Sequence, residues 1–333
     1  MIQIKAIVPV AGIGKRLRPH THTIPKALLY IAGKAILGHI LDKVASIGIN
    51  DVVLIIGFRG EKVKEYVKQE YPNMHFDFAE QKEMLGLGHA IYTAKPYVKE
   101  NEPILIIYGD TIFVGDISVG KKEKNDGCIG IKAVDDPRSF GVVETKNGKI
   151  TKLVEKPDYI KPMPAIVGVN FINNSKLLFD SLEELISKNI KTKNEYQLTD
   201  AFQLMVEKNA VLTTFPLERW FDCGRPETLL ETNRYMLDNL KTKHDKSENS
   251  VIIPPVFIDK TAKVKNSIVG PYVSIAAGAT VTNSIIKNSI LNKVCTVKNA
   301  QLTDSLIGEN AIVEDFTDKL NVGDNSEIRF SGE

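Results

Sequence analysis

Apolar residues follow three different periods along this chain. In the first third, near-continuous apolar runs at Ile4–Val10, Asp51–Ile56 and Ile104–Tyr108, with a further strand at His75–Glu80, alternate with stretches of helical spacing. A run apolar on every residue predicts a parallel strand covered on both faces. Ile36, Leu37, Ile40, Leu41, Val44 and Ile47 recur at helical spacing, and Gly48 ends that helix. Glu61–Gln69 and Gly88–Ala94 supply the next two crossovers. This order predicts a doubly wound α/β sheet.

From Gly127 to Ile172 the pattern becomes strand-rich, in CIGIKAV, GVVE, ITKLVEKP and AIVGVNFI. Helices are predicted at Ser175–Ser187 and Thr199–Lys208, then a strand at TTFPLE, the motif Trp220-Phe221-Asp222-Cys223-Gly224, and a helix over Pro226–Leu240. The polar stretch 241–250, KTKHDKSENS, reads as a linker. Beyond it Ile258, Val264, Val269, Ile275, Val281, Ile286, Leu291, Val297, Leu302, Ile307 and Val313 recur every five or six residues, with small and polar residues between. Neither a helix nor an alternating strand has that period. It is the hexapeptide repeat of a parallel β-helix, whose apolar positions share one core. The expected division is therefore a first domain over 1–240, a linker over 241–250 and a β-helix over 251–333.

Composition narrows the partners. The 333 residues carry a net charge of +2, which lacks the basic footprint of a nucleic-acid binder. No apolar run approaches a membrane span, and the N-terminus leads straight into a strand without a cleavable leader. Cys128, Cys223 and Cys295 are odd in number and far apart. They predict a reducing, cytoplasmic setting, with no disulfide framework or zinc site.

The candidate chemistry begins after the first strand, in PVAGIGKRLRPHTHTIPK (Pro9–Lys26). Ala11, Gly12 and Gly14 form a turn that lets backbone N–H groups approach phosphate oxygens, and Lys15, Arg16, Arg18 and Lys26 supply charge. A P-loop is excluded because Arg16 stands where Ser or Thr is needed and no glycine precedes Gly14 by five residues. A dinucleotide fingerprint is excluded because Leu17 replaces its third glycine. Two further motifs follow predicted parallel strands, at the edge where open α/β sheets bind ligands. Gln81 offers an amide suited to a base edge, with Gly86 beyond it; Asp110 is a lone carboxylate in YGDTIF. Asp222 is another, in WFDCG, and Mg²⁺ needs only one or two protein carboxylates. Taken singly, each has a plain structural reading: a polar loop, a helix cap, a turn beside a buried aromatic. His20 and His22 suggest a metal pair, but no third ligand is evident and a polar loop accounts for them.

Together these segments resemble the sugar-1-phosphate nucleotidyltransferases, whose signature is G-x-G-T-R-x-x-P…P-K. The PVAGxG start is similar to the glucose-1-phosphate uridylyl- and thymidylyltransferases. Lys15 stands where that family usually has Thr. The resemblance covers the whole chain and implies a Rossmann-like nucleotidyltransferase domain followed by a left-handed β-helix. It implies that the partners are an NTP and a hexose 1-phosphate, most directly glucose 1-phosphate with UTP or dTTP; mannose 1-phosphate with GTP is the alternative. It carries nucleotide binding to Ala11, Gly12, Gly14, Lys15, Arg16, Gln81 and Gly86. It carries sugar-phosphate binding to Gly141, Glu155, Lys156, Gly168 and Asn170, and Mg²⁺ to Asp110 and Asp222. Arg16, Lys26, Asp110, Lys156 and Asp222 are then the catalytic set. Read without the family, Glu155-Lys156-Pro157 is a solvated strand end. A non-catalytic, nucleotide-sugar-binding homologue is the alternative from another class. No histidine falls in the repeat, which disfavours a hexapeptide acetyltransferase and points to an assembly or regulatory module, with a homo-oligomer expected.

Overall fold

The apolar runs at both ends of the first 216 residues enter one nine-stranded sheet. Its strands are β1 (Lys5–Pro9), β2 (Asp51–Ile56), β3 (His75–Glu80), β4 (Ile104–Ile107), β5 (Gly127–Val134), β6 (Gly141–Lys146), β7 (Lys149–Glu155), β8 (Met163–Ile172) and β9 (Leu212–Pro216). The computed structural model describes residues 4–240 and 247–330. The order is β3-β2-β1-β4-β8-β5-β9-β7-β6. From β3 to β4 every pair is parallel, as the apolar runs predict. β8 then pairs antiparallel with both β4 and β5, and β7 pairs antiparallel with β6 and β9. The strand-rich segment thus extends the same sheet as a mixed half, in which β9 runs parallel to β5 and joins it to β7. Asn147 and Gly148, at φ 52° and 76°, make the two-residue turn between β6 and β7. That Asn-Gly pair suits a hairpin turn whose central residues both need positive φ.

One side of this sheet packs against helices Leu87–Thr93, Ser175–Ser187 and Leu198–Glu207, with Ile91, Leu178, Leu182, Leu185, Phe202 and Met205 in the shared core. Asn174 starts the middle helix by accepting a hydrogen bond from the Leu177 amide at 3.1 Å.

The five-to-six-residue period becomes three parallel sheets of six, five and five strands, stacked as a left-handed β-helix. Each coil contributes one strand to each sheet, so apolar residues stack in columns: Val264, Val281, Val297, Val313 in one, Val269, Ile286, Leu302 in the next, and Ile275, Leu291, Ile307 in the third. All are buried. The polar residues between them turn the corners. Asn249, Asn266, Asn283, Asn299 and Asp315 each take a left-handed φ of 47–56°. Asn and Asp tolerate that conformation better than other side chains with a Cβ. Each amide of this column also donates to the residue one coil on, at 2.9–3.3 Å. Residues 241–246 of the expected linker lie outside the described residues. Ser247 and Glu248 already pair with Val264 and Lys265; both are polar and exposed, so the apolar period could not reveal them.

The chain divides into two compact units, Met1–Gly12 with Ile40–Trp220, and Ile13–His39 with Phe221–Glu333. The second unit therefore contains, besides the β-helix, most of the loop after β1 and the helix Pro226–Asp238. All three cysteines are buried and none forms a disulfide, and burial pushes the Cys295 thiol up to about 12.

Because Leu302 is fully buried between Ile286 and the coil beyond, Leu302→Ala is expected to lower stability by about 2–5 kcal/mol. Chemical denaturation of the full chain measures it.

Candidate active site

The loop after β1 is shaped by Gly14, in the left-handed region at φ 67°. Its carbonyl accepts from the Leu17 amide at 2.9 Å and from the Thr21 hydroxyl at 2.8 Å, closing a tight 3-10 turn over Lys15–Leu17. A Cβ at position 14 would lie 3.0 Å from Lys26 Cβ and 3.1 Å from Thr21 Cγ2, so glycine is required on both counts. Leu17 is buried and roots the turn, while Lys15 and Arg16 are exposed. Lys26 opens a second short turn, Lys26–Leu28, after Pro25. Its Nζ lies 3.8 Å from Asp222 Oδ1; the lysine side chain is 11% exposed and the carboxylate 40%. The lysine is recessed and the carboxylate remains open. A Cβ at Gly224 would come 2.9 Å from Arg16 Nη2, so that glycine admits the guanidinium. Within this unit the structure brings together Gly14, Arg16, Lys26 and Asp222, which are up to about two hundred residues apart in sequence.

The sheet unit carries the other predicted residues. Ala11 is buried after β1, and Gly12 has open space around it. Gln81 follows β3. It is 6% exposed, its amide N–H bonds Ile56 O at 2.9 Å, and its Nε2 donates to Gly86 O at 3.1 Å. Gly86 has φ 110°, and a Cβ there would meet Tyr196 O at 2.6 Å. Thus Gln81 and Gly86 are joined directly, and the loop between them leans on the backbone of 195–197. Asp110 is half-buried just beyond β4, where Gly109 allows the Pro9 carbonyl to approach.

Gly141 and Glu155 face each other across the β6–β7 ladder. Thr199 Oγ1 donates to Glu155 Oε2 at 2.7 Å, and Lys156 Nζ lies 3.4 Å from Glu155 Oε1. The Glu155 side chain is only 9% exposed. Lys156 takes φ 46°, and its amide is held by Phe140 O at 2.9 Å, which turns the chain sharply after the strand. This departs from a solvated strand end. Gly168, at φ 79°, is covered by the Tyr108 ring, 2.4 Å from where a Cβ would sit. Burial raises the Tyr108 pKa, and the carboxylates of Glu155 and Asp110 raise it further, so the phenol stays a neutral donor. Asn170 is 0% exposed, and neither of its amide atoms meets hydrogen-bond geometry, although the Tyr108 hydroxyl is close enough to feel it. A buried amide left unmet marks a place where a polar ligand would be welcome. Tyr108 opens the YGDTIF segment but was given no role there, and Thr199 had no motif to announce it, since the Thr199–Glu155 contact spans 44 residues.

Among the described residues no group of three or more His, Cys, Asp or Glu side chains could hold a metal ion. His20 Nε2 is engaged by Asn321 Oδ1 at 2.6 Å, and the residue is 3% exposed.

The family model described as Nucleotidyl transferase matches residues 5–239. A "Bifunctional protein GlmU" of Methanocaldococcus jannaschii is 36% identical over 260 residues, which is 77% of this chain and 60% of that protein. The chain therefore spans less than two thirds of that relative. A glucose-1-phosphate thymidylyltransferase of Streptomyces antibioticus is 31% identical, covering 78% of this chain and 74% of that protein. Among solved structures, a UDP-glucose pyrophosphorylase complexed with UDP-glucose shares the fold, with a TM-score of 0.62 at 24% identity over 72% of this chain and 100% of its own. Among the described residues no helix is long and apolar enough to cross a membrane.

His20 yields a pH dependence. Burial depresses its folded-state pKa below 6.5, partly offset by Asn321 and Asp324. The unfolded chain then binds the proton first, so this contribution to stability is complete above 6.5 and is lost as pH falls below it. Denaturation midpoints are expected to drop between about pH 7 and about pH 5, and His20→Gln to remove part of that slope.

Proposed function

This chain belongs to the nucleotidyl transferase family, and from that premise we propose that it is an enzyme joining an NTP and a hexose 1-phosphate to give an NDP-sugar and pyrophosphate. The observation that carries the reading is the meeting of Arg16, Lys26 and Asp222 around the turn at Gly14. That turn presents two cations beside one open carboxylate, a set suited to a triphosphate. The substrate proposed first is glucose 1-phosphate with dTTP or UTP. Support comes from the names of the thymidylyltransferase relative and the UDP-glucose pyrophosphorylase neighbour.

In the proposed reaction an oxygen of the sugar phosphate attacks the α-phosphorus of the NTP. The new P–O bond forms as the α–β bridge breaks, and pyrophosphate leaves with the bonding pair. A phosphate monoester is ionised near neutral pH, so no general base is needed, and positioning and charge stabilisation carry the catalysis. Ala11, Gly12, Gly14 and Lys15 line the triphosphate, with Arg16 neutralising the departing pyrophosphate and Lys26 the α-phosphate. Gln81, tied to Gly86, reads the base with its remaining amide capacity. Glu155, steadied by Thr199, accepts sugar hydroxyls, and Lys156 holds the sugar phosphate. Gly168 and Gly141 allow close approach, and the buried Asn170 amide gains the partners it lacks.

The family works with a divalent metal, and Mg²⁺ is the ion proposed here. Asp110 and Asp222 offer hard carboxylate oxygens, and the exposed Asp222 carboxylate at 3.8 Å from Lys26 is not closed off by a tight ion pair. When bound, such an ion would draw charge from the reacting phosphates. The domain reading is a catalytic region over 1–240 and a β-helix over 251–333. We read the latter as an assembly or regulatory module; residues 251–333 contain no histidine. An exposed, in-register row of Val251, Ile268 and Ile285 supports self-association.

Pyrophosphate release is to be measured with Mg²⁺, crossing dTTP, UTP, GTP, CTP and ATP against glucose, mannose, galactose, glucosamine and N-acetylglucosamine 1-phosphates. Turnover with glucose 1-phosphate and dTTP or UTP is expected. Turnover only with GTP and mannose 1-phosphate would replace that substrate pair. Silence throughout, with nucleotide still bound, would favour a non-catalytic homologue in which Lys15 replaces the hydroxyl expected there. Arg16→Ala is expected to lower kcat by about 10²–10³-fold with the unfolding midpoint unchanged.

A further inference from the structure

His20 and Thr21 are 3% and 1% exposed although they lie in a polar loop. The polar partners of His20 and of nearby Thr23 lie three hundred residues on. His20 Nε2 donates to Asn321 Oδ1 at 2.6 Å, a separation of 301 residues in sequence. Thr23 Oγ1 donates to Asp324 Oδ2, again across 301 residues. Beside these anchors, Pro19 packs on Gly323, where an added Cβ would lie 2.9 Å from Pro19 Cβ. The receiving surface is itself held. Asn321 and Val322 pair with Leu306 and Ile307 of the coil beneath, and Asp324 Oδ1 accepts from the Glu309 amide at 2.7 Å.

The contact leads back to the phosphate turn. Thr21, flanked by the two anchored residues, donates to Gly14 O at 2.8 Å. Gly14 packs on Thr21 and Lys26, and Lys26 faces Asp222. All of these residues belong to the same compact unit. We propose that the last coil of the β-helix holds the phosphate loop in its binding shape, with Asn321 and Asp324 as positioning residues for the nucleotide acting through His20 and Thr23. A loop ordered in advance loses less conformational entropy when its ligand arrives, so the anchors act on nucleotide binding and leave the sugar-phosphate site alone. The function assigned to the β-helix is thereby extended from assembly to support of the turn that carries Arg16.

This inference rests on the proposed nucleotidyl transfer, so its test has an arm independent of turnover. Hydrogen exchange is followed in peptides covering 12–26 of the full chain, alongside KM for the NTP and for the sugar phosphate, in Asn321→Ala, Asp324→Asn, Thr23→Ser and Thr23→Val. Asn321→Ala, Asp324→Asn and Thr23→Val are expected to speed exchange in the loop about tenfold and raise the NTP KM about tenfold, with the sugar-phosphate KM within about twofold. Thr23→Ser, which keeps the hydroxyl, is expected to match the wild type. Unchanged loop exchange and NTP KM, with only a lower unfolding midpoint, would reduce the anchors to holding down the coil and overturn the proposal. A wild type silent with every substrate pair would overturn the assigned reaction, while the exchange data would still decide this one. Should Asn321→Ala fail to fold, Thr23→Val carries the decision.

Discussion

One buried amide governs how the second unit is built. Asn233, on the helix Pro226–Asp238, is fully buried. Its Oδ1 accepts from the Ala32 amide at 2.9 Å and from Ser274 Oγ at 2.6 Å, and its Nδ2 donates to Tyr272 O at 3.4 Å. A buried amide must find its partners within the fold, and no apolar side chain could satisfy both the Ala32 N–H and the Tyr272 carbonyl. Helix, β-helix and the segment after β1 are therefore aligned by a group that tolerates little displacement. Phe257 adds shape to this constraint. Its ring lies 2.6 Å from where a Cβ of Gly33 would stand, and it packs edge-on against Tyr30. The phosphate turn is attached to this frame at Tyr30 and Gly33 as well as at His20 and Thr23.

Electrostatics divides the candidate site by character. Around Gly14 the chain gathers cations beside one carboxylate, a net positive balance that favours an anionic ligand. Around Gly168 it instead gathers neutral or singly charged donors and acceptors in partial burial: Tyr108, Thr199, Glu155 and Asn170. An unmet polar atom in a buried place costs stability, and the Asn170 amide stands in that position. Such a cost is characteristic of groups whose hydrogen bonds are completed by a ligand. Glycines recur here for a reason distinct from flexibility. Positions 14, 86 and 168 combine positive φ with a neighbour pressed against the missing Cβ, so each is required twice over.

Much of the fold was legible along the chain because it rests on short-range rules. Apolar runs at β1, β2 and β4 marked parallel strands, the five-to-six-residue columns marked the β-helix, and Asn147-Gly148 marks a hairpin turn in the same local terms. The candidate phosphate loop was legible because a turn of small residues followed by cations is a contiguous feature. The mixed half of the sheet was less so. β8 is apolar along most of its length, but pairing direction is a property of two strands and is not written in either.

By itself, then, the sequence determined the kinds of element, the β-helix period and the identities of the charged side chains, since each depends on residues within a few positions of one another. Only the tertiary structure decided that Ile13–His39 groups with the β-helix, that Thr199 steadies Glu155, and that Asn321 and Asp324 reach His20 and Thr23. The physical reason is that a hydrogen bond across 301 residues leaves no periodicity on either side. A histidine in a polar loop reads as a surface residue until the fold buries it, and the asparagine that meets it stays exposed at the edge of a repeat.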